Sequence, residues 1–234
     1  MIQNADYLDF SSLKIFNLIL TDPPYGLTNA SWDKKIDLKI FWNFCDSNLA
    51  KNGQVVVFGA QPFTSDLISS NKNWFKYSVI WEKSNATGFL NAKKRPLSAH
   101  EDVCVFWRTG EKPTYNPQMT TGHKRKTSSR TQSSELYGDT EKKIIYDSTD
   151  RYPRSVLKFP SDKQKLKYHS TQKPEALMEW LVKTYSNEGD FVLDPFMGSG
   201  TTGVASIRMN REFTGIEIDK KFFETAKLRL DSIK

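Results

Sequence analysis

Histidine and cysteine are scarce in this chain, with three and two respectively among 234 residues. Cys45 and Cys104 lie far apart, without CxxC spacing or a histidine neighbour, which argues against both a disulfide framework and a zinc site. A reducing compartment is expected. No run approaches the 18 apolar residues of a membrane-spanning helix. The N-terminus lacks the basic, apolar and small-residue order of a secretion signal. The expectation is a soluble cytoplasmic protein with no metal and no membrane partner. The glycine-rich stretch near residue 198 has no Gly-Lys-Ser/Thr, so a phosphate-cradling P-loop is excluded.

What the chain does have is basic charge, unevenly placed. The 34 Lys and Arg exceed the 27 Asp and Glu by seven. Residues 108–168 hold 14 Lys and Arg against 7 Asp and Glu, so the whole formal excess falls in that segment. Its apolar runs thin out, and Lys124 to Ser134 is almost wholly polar. Excess positive charge suits an anionic partner. On either side, short apolar runs alternate with helix-length segments. Strands are predicted at Phe16–Leu20, Gln54–Phe58, Tyr77–Trp81, Val103–Trp107, Phe191–Leu193 and Phe213–Ile218. Helices are predicted over residues 62–72, 175–185, 201–209 and 220–232. The order implies an α/β fold with a Rossmann-like, doubly wound, mostly parallel sheet. It occupies residues 1–107 and 169–234, with residues 108–168 as an insertion.

Two motifs sit at strand ends. Asp194-Pro195-Phe196-Met197-Gly198-Ser199-Gly200-Thr201-Thr202 joins a strand to a helix, where glycines let the backbone turn tightly and approach a ligand. Glu217 follows Asp194 by 23 residues and ends the next strand, near the roughly 20-residue spacing at which an acid meets ribose hydroxyls. Asp22-Pro23-Pro24-Tyr25 follows the first buried strand. A bare Pro-Pro-Tyr is an ordinary turn. An acid before it, at a buried strand end, supplies a carboxylate and a rigid backbone carbonyl. Those two acceptors can take the hydrogens of an exocyclic amine, whose lone pair is otherwise delocalised into its ring. Tyr25 offers a face for an extruded base.

These residues resemble the amino-methyltransferases of the N6-adenine and N4-cytosine type, in the permuted arrangement called the beta class. The resemblance covers nearly all of the chain except its middle. It implies S-adenosyl-L-methionine (AdoMet) as cofactor and DNA as partner, with Asp22, Pro23, Pro24 and Tyr25 at the target amine. It assigns Asp194, Pro195, Phe196, Gly198, Ser199, Gly200, Thr201 and Thr202 to the AdoMet loop and Glu217 to the ribose. His169-Ser170-Thr171-Gln172-Lys173-Pro174 is similar to the family's HPTQKP segment, with Ser170 in place of proline, which puts Thr171 and Lys173 at the methionine end of the cofactor. Asp6 resembles the acid that meets the cofactor's adenine.

In this family Asp at the head of the tetrapeptide leans to adenine and Ser to cytosine, so N6-adenine methylation is expected and N4-cytosine methylation is the alternative. Methylation of RNA or of a protein glutamine goes more usually with Asn-Pro-Pro-Tyr. A catalytically silent DNA-binding or regulatory homologue has no physical reason to keep both motifs. Neither cysteine stands in the Pro-Cys setting of a C5-cytosine enzyme. Residues 108–168 are the expected target-recognition region. Lys93, Lys94, Arg95, Lys124, Arg125, Lys126 and Arg130 are the candidate phosphate contacts, and the stretch from Thr127 to Ser134 is expected to be a loop that orders on DNA. The resemblance admits a homodimer, a cognate restriction endonuclease, and a bacterial or phage-infected host cell. His100-Glu101-Asp102 has no ligand spacing and reads as a strand entry, while Trp81, Phe106 and Trp107 read as core.

Overall fold

The computed structural model describes residues 1–30, 32–134, 138–160 and 172–233, and for residues 130–144 within these ranges the backbone alone. The chain divides into two compact units, Met1–Asn116 with Ser155–Lys234, and Pro117–Arg154.

In the larger unit the strands are β1 (Ile2–Asn4), β2 (Phe16–Thr21), β3 (Leu49–Gly59), β4 (Phe75–Thr87) and β5 (Ser98–Phe106). After the smaller unit, which contains β6 (Lys126–Ser134) and β7 (Gly138–Ser148), come β8 (Val156–Phe159), β9 (Phe191–Asp194) and β10 (Glu212–Glu217). The helices are α1 (Leu38–Asn48), α2 (Phe63–Ser70), α3 (Glu175–Tyr185), α4 (Thr201–Arg208) and α5 (Lys220–Asp231). Eight strands form one sheet in the order β1-β10-β9-β2-β3-β5-β4-β8. Only β5 runs antiparallel to its neighbours; the other adjacent pairs are parallel.

Side chains alternate across a strand, and here that alternation separates two cores. Leu18, Leu20, Val56, Phe58, Val103 and Val105 pack with Leu177, Leu181, Val204 and Leu230 of α3, α4 and α5. Ile19, Val55, Val57, Cys104 and Phe106 pack on the other face with Phe41, Cys45, Phe63 and Leu67 of α1 and α2. Both faces are covered, which is why these strands read as continuous apolar runs rather than as alternating ones. Trp81 and Phe106 are buried, and Trp107 packs partly buried against the first core.

The arrangement makes a crevice. β9 leads into α4 on one face, while the chain after β2 reaches α1 on the other. The two strands are direct neighbours, with Leu18 opposite Val192 and Ile19 opposite Leu193. Chains leaving adjacent parallel strands to opposite sides open a gap beyond their carboxyl ends.

Two expectations need correction. Lys126–Ser134 is not a loop: it pairs antiparallel with Gly138–Ser148, from Lys126 opposite Ser148 to Ser134 opposite Gly138. Lys126–Ser134 contains no apolar residue, so no alternating pattern marked the strand, while pairing satisfies its backbone groups. The inserted unit is also narrower than residues 108–168. Val156–Phe159 returns to the main sheet as a parallel neighbour of β4, with Trp81 opposite Leu157, and Gln54 donates from its side-chain amide to the Thr114 carbonyl at 2.7 Å. Four residues with one buried apolar side chain are too short to announce a strand by period.

Candidate active site

Within the larger unit the crevice is a cavity of about 940 Å³, at the upper end of the roughly 300–1,000 Å³ usual for small-molecule sites. The Asp22–Tyr25 tetrapeptide, Asp6, Lys173, the loop from Asp194 to Ser199, and Glu217 all line it. Elements remote in sequence thus meet at one place.

One half is built from backbone. Asp194, at the end of β9, is 3 % exposed and faces inward. It accepts from the hydroxyls of Thr21 at 2.7 Å and Thr202 at 2.5 Å and from the N–H of Phe196 at 3.1 Å. Burial pushes its carboxyl up to about 7 against the lowering effect of those donors. Asp194 therefore ties β2, β9 and α4 together and shapes the loop. Gly198 (φ 52°) and Gly200 (φ 81°) adopt the left-handed backbone that the turn needs. A side chain on Gly198 would meet nothing within 4 Å, whereas one on Gly200 would press on Ala226 at 3.0 Å. The loop is braced by Arg229 of α5, a residue with no motif to announce it. Its guanidinium donates to the Ser199 carbonyl at 2.6 Å and pairs with Glu175 at 2.9 Å.

Glu217 ends β10 with its carboxylate held by the N–H of Gly198 at 2.9 Å and that of Asp219 at 2.8 Å. Burial raises it above the usual carboxylate range. Each oxygen accepts one backbone bond and retains capacity for a hydroxyl. Asp6 reaches the same wall because β1 pairs with β10; one of its oxygens caps the turn at Leu8, at 3.0 Å. An open glycine cradle, an acid pair at the far wall and an apolar floor from Phe196 and Met197 fit a nucleoside carrying a sulfonium amino-acid tail. Thr171 lies outside the described residues.

The other half is built from charge. Tyr25 donates its hydroxyl to Asp22 at 2.5 Å and stacks on Phe63, with centroids 5.0 Å apart and planes inclined by 25°. The loop after it is pinned by Asp33, which accepts from the N–H groups of Gly26, Leu27 and Thr28 at 2.7–3.0 Å. Burial would raise Asp33, but the Thr28 hydroxyl and these N–H groups hold it below its ordinary value.

The ammonium of Lys173 bonds the other oxygen of Asp22 and lies 3.0 Å from Glu101, which pairs with Lys83 at 2.6 Å. Lys83, Glu101, Lys173 and Asp22 thus alternate in sign. Burial pushes Asp22 up, and Lys173 opposes it. Burial would lower Lys173, but the two carboxylates together hold it above its usual range. For Glu101, burial is outweighed by Lys173 and Lys83, which hold it below its usual range. Glu101 corrects the reading of His100-Glu101-Asp102 as a mere strand entry: it is cross-strand from Trp81 and belongs to the site. Its pairing with Lys173, 72 residues away, leaves no local signal.

Among the candidate phosphate contacts, Lys93, Lys94 and Arg95 are exposed at the tip between β4 and β5. In the smaller unit Arg125 is held in a two-pronged pair with Asp147 at 2.7 and 2.8 Å, while Lys124 and Lys126 are exposed. The side chain of Arg130 lies outside the described residues. Among the described residues no group of three or more His, Cys, Asp or Glu is placed to hold a metal, and no helix is long and apolar enough to cross a membrane.

Comparison with known proteins agrees with this geometry. Residues 16–228 match the model of the N6/N4 methyltransferase family, described as DNA methylase. The chain is 32% identical to DNA adenine methyltransferase YhdJ of Escherichia coli (strain K12), over 92% of this chain and 76% of that one. It is 30% identical to the Type II methyltransferase M.HpaI of Haemophilus parainfluenzae, over 92% and 68%. The crystal structure of the M1.HpyAVI–SAM complex superposes with a TM-score of 0.68 at 28% identity, covering 98% of both chains. The cytosine-N4-specific PvuII DNA methyltransferase shares the fold at a TM-score of 0.66 and 17% identity, over 97% of this chain and 85% of that one. With both strand-end motifs on one crevice and the family model spanning nearly the whole chain, this protein belongs to the N6/N4 DNA methylases, AdoMet-dependent DNA methyltransferases.

Proposed function

We propose that this enzyme methylates the N6 amine of adenine in DNA, on a base turned out of the duplex into the crevice. The observation that carries the reading is Asp22, an acid at the head of the tetrapeptide, on the wall of the same cavity as the Asp194–Thr202 loop. In this family that acid leans to adenine, and YhdJ, named an adenine methyltransferase, supports the same choice.

AdoMet, when bound, supplies an electrophilic methyl group. The chain's own residues do the rest. Lys173 and Tyr25 each take one lone pair of the Asp22 carboxylate, leaving one on each oxygen. A target amine that donates to Asp22 and to a backbone carbonyl of the proline pair localises its lone pair on nitrogen. Positive charge then developing on that nitrogen faces a carboxylate in a water-poor site, where electrostatic complementarity is strongest. The prolines restrict the backbone and hold both acceptors in place before the substrate arrives. Tyr25 stacks against the base and thereby offsets the few kcal/mol needed to unstack it. Glu217 and Asp6 would hold the sugar and base end of the cofactor, the loop from Pro195 to Thr202 would enclose it, and Lys173 would stand beside its methionine end. Pro117–Arg154, carrying 8 Lys and Arg against 5 Asp and Glu, serves as the target-recognition unit.

The test is incubation of the protein and an Asp22→Ala variant with labelled AdoMet and unmethylated genomic DNA, followed by mass spectrometry of the nucleosides. N6-methyladenine from the parent alone is expected. N4-methylcytosine would reverse the base while keeping the chemistry, and product formed equally by Asp22→Ala would remove Asp22 from the reaction.

A further inference from the structure

From Ser84 to His100 every residue is exposed, yet the segment is not shapeless. β4 and β5 continue pairing to Thr87 opposite Ser98. The tip beyond them closes on its own backbone: the N–H groups of Asn91 and Ala92 donate to Gly88 and Phe89 at 2.9 and 3.0 Å, and those of Lys94 and Arg95 donate to Asn91 at 2.8 and 3.0 Å. Gly88 turns into it at φ 90°. On this formed tip Phe89 is 81% exposed and Leu90 98%. Large apolar side chains displayed side by side in water, on a turn they do not help to pack, mark an interaction site.

Position and charge say what meets them. Trp81, Lys83, Asn85 and Thr87, alternate residues of β4, line the cavity that contains Asp22. One face of the strand therefore forms the cavity wall all the way to its tip, and Phe89 is only two residues past the last of them, within about 7 Å along the chain. Lys93, Lys94 and Arg95 follow at once. An apolar point backed by cations matches a base stack flanked by phosphates, and apolar side chains can enter between base steps and hold them apart.

We propose that Phe89 and Leu90 form a wedge that enters the DNA stack at the space vacated by the target base, while Lys93, Lys94 and Arg95 grip the adjoining phosphates. The proposal rests on the base-flipping reading above. A base leaving the helix loses stacking and leaves its partner unpaired. Apolar surface inserted into the gap replaces part of that contact and slows the base's return. Exposure at the tip is then the unbound state of a surface that becomes buried on DNA.

The experiment uses duplex oligonucleotides bearing the target site, identified beforehand from methylated genomic DNA, with either the matched base or a mismatch opposite the target. Methylation rates of the parent and a Phe89→Ala/Leu90→Ala variant are compared on both. Fluorescence of 2-aminopurine at the target position reports unstacking. The variant is expected to lose about tenfold or more on the matched duplex, as loss of one stacking contact implies. It should also lose the fluorescence rise and recover to within about threefold of the parent on the mismatched duplex, where the base is already loosened. Its AdoMet affinity and the salt dependence of its DNA binding should match the parent's. Lys93→Gln/Lys94→Gln should instead flatten the salt dependence. An unchanged matched-duplex rate, or equal losses on both duplexes, overturns the wedge. So does conversion of a dimer to a monomer by the double substitution, which would assign the tip to self-association. If the parent itself modifies no DNA, the base-flipping reading fails first, irrespective of the tip variant.

Discussion

The two halves of the crevice solve opposite problems. Around Asp194 the charge is absorbed: the carboxylate is buried among three donors, and the loop presents backbone, with the acids Glu217 and Asp6 on the wall beyond it. Around Asp22 charge is kept and balanced, with Lys173 held between two carboxylates and Lys83 beyond. A cofactor seat needs shape, which neutral hydrogen bonds give cheaply. A site facing a nitrogen that becomes positive needs a carboxylate that stays ionised away from water, and that requires counter-charges. The difference teaches that conserving the shape of this crevice and conserving its charge are separable, so variants should divide between them.

The largest effect is expected on the charged side alone. Asp22→Ala should lower the methylation rate by about 10²–10⁴-fold, while AdoMet binding measured by calorimetry stays within about twofold, because the backbone and hydroxyl donors that shape the loop bond Asp194 and Glu217 rather than Asp22. A matching loss of AdoMet affinity would show the halves to be one unit. Next is a change on the shaped side. Arg229→Ala removes the hydrogen bonds that brace Ser199 and one of the two arginine partners of Glu175, which keeps Arg208 at 2.6 Å, a loss of about 2 kcal/mol. It should appear as a melting point several degrees lower and weaker AdoMet binding, with little change in rate at saturating cofactor.

A pair of substitutions then sharpens the electrostatic side by sign. Glu101→Gln removes a negative neighbour of Asp22 and leaves Lys173 to it alone, so Asp22 ionises at lower pH. The acidic limb of the rate profile should move down in pH. Lys173→Met removes the opposing cation and should move that limb up. Shifts in the same direction would break the alternating-charge account. The smallest effect concerns Asp194. Its native carboxyl is raised to about 7, above its value in an unfolded chain, so the folded state binds more protons between roughly pH 4 and 7. Stability contributed by the protonated form is complete below the unfolded value and is lost as pH rises through 7. Asp194→Asn should flatten the decline of melting temperature over that window; an unchanged slope would assign the pH dependence to other groups.

Much of this was readable in advance where physics is local. Leu18–Leu20 and Val55–Val57 are apolar on both sides because both sheet faces are covered, and glycine or proline at strand ends marked both motif loops. α3 follows Pro174 and runs to Tyr185 as its period predicts. The sheet edges were harder: β1 is three residues long, β8 is four, and neither length supports a periodic signal. The hairpin of the smaller unit was hidden by its polarity. Within the site, Glu101, Lys83 and Arg229 carry no motif, because each acts through a partner distant in the chain.

Residue identity and order suffice for the two strand-end loops and the apolar strands between helices, since these depend on backbone conformation and burial within a few residues. Which carboxylate meets which ammonium was decided only by folding. Strand order set β2 beside β9, and the antiparallel return of β5 placed Glu101 against the lysine that reaches Asp22. Coulomb interactions act through space at a few ångströms, and only the folded chain brings those charges that close.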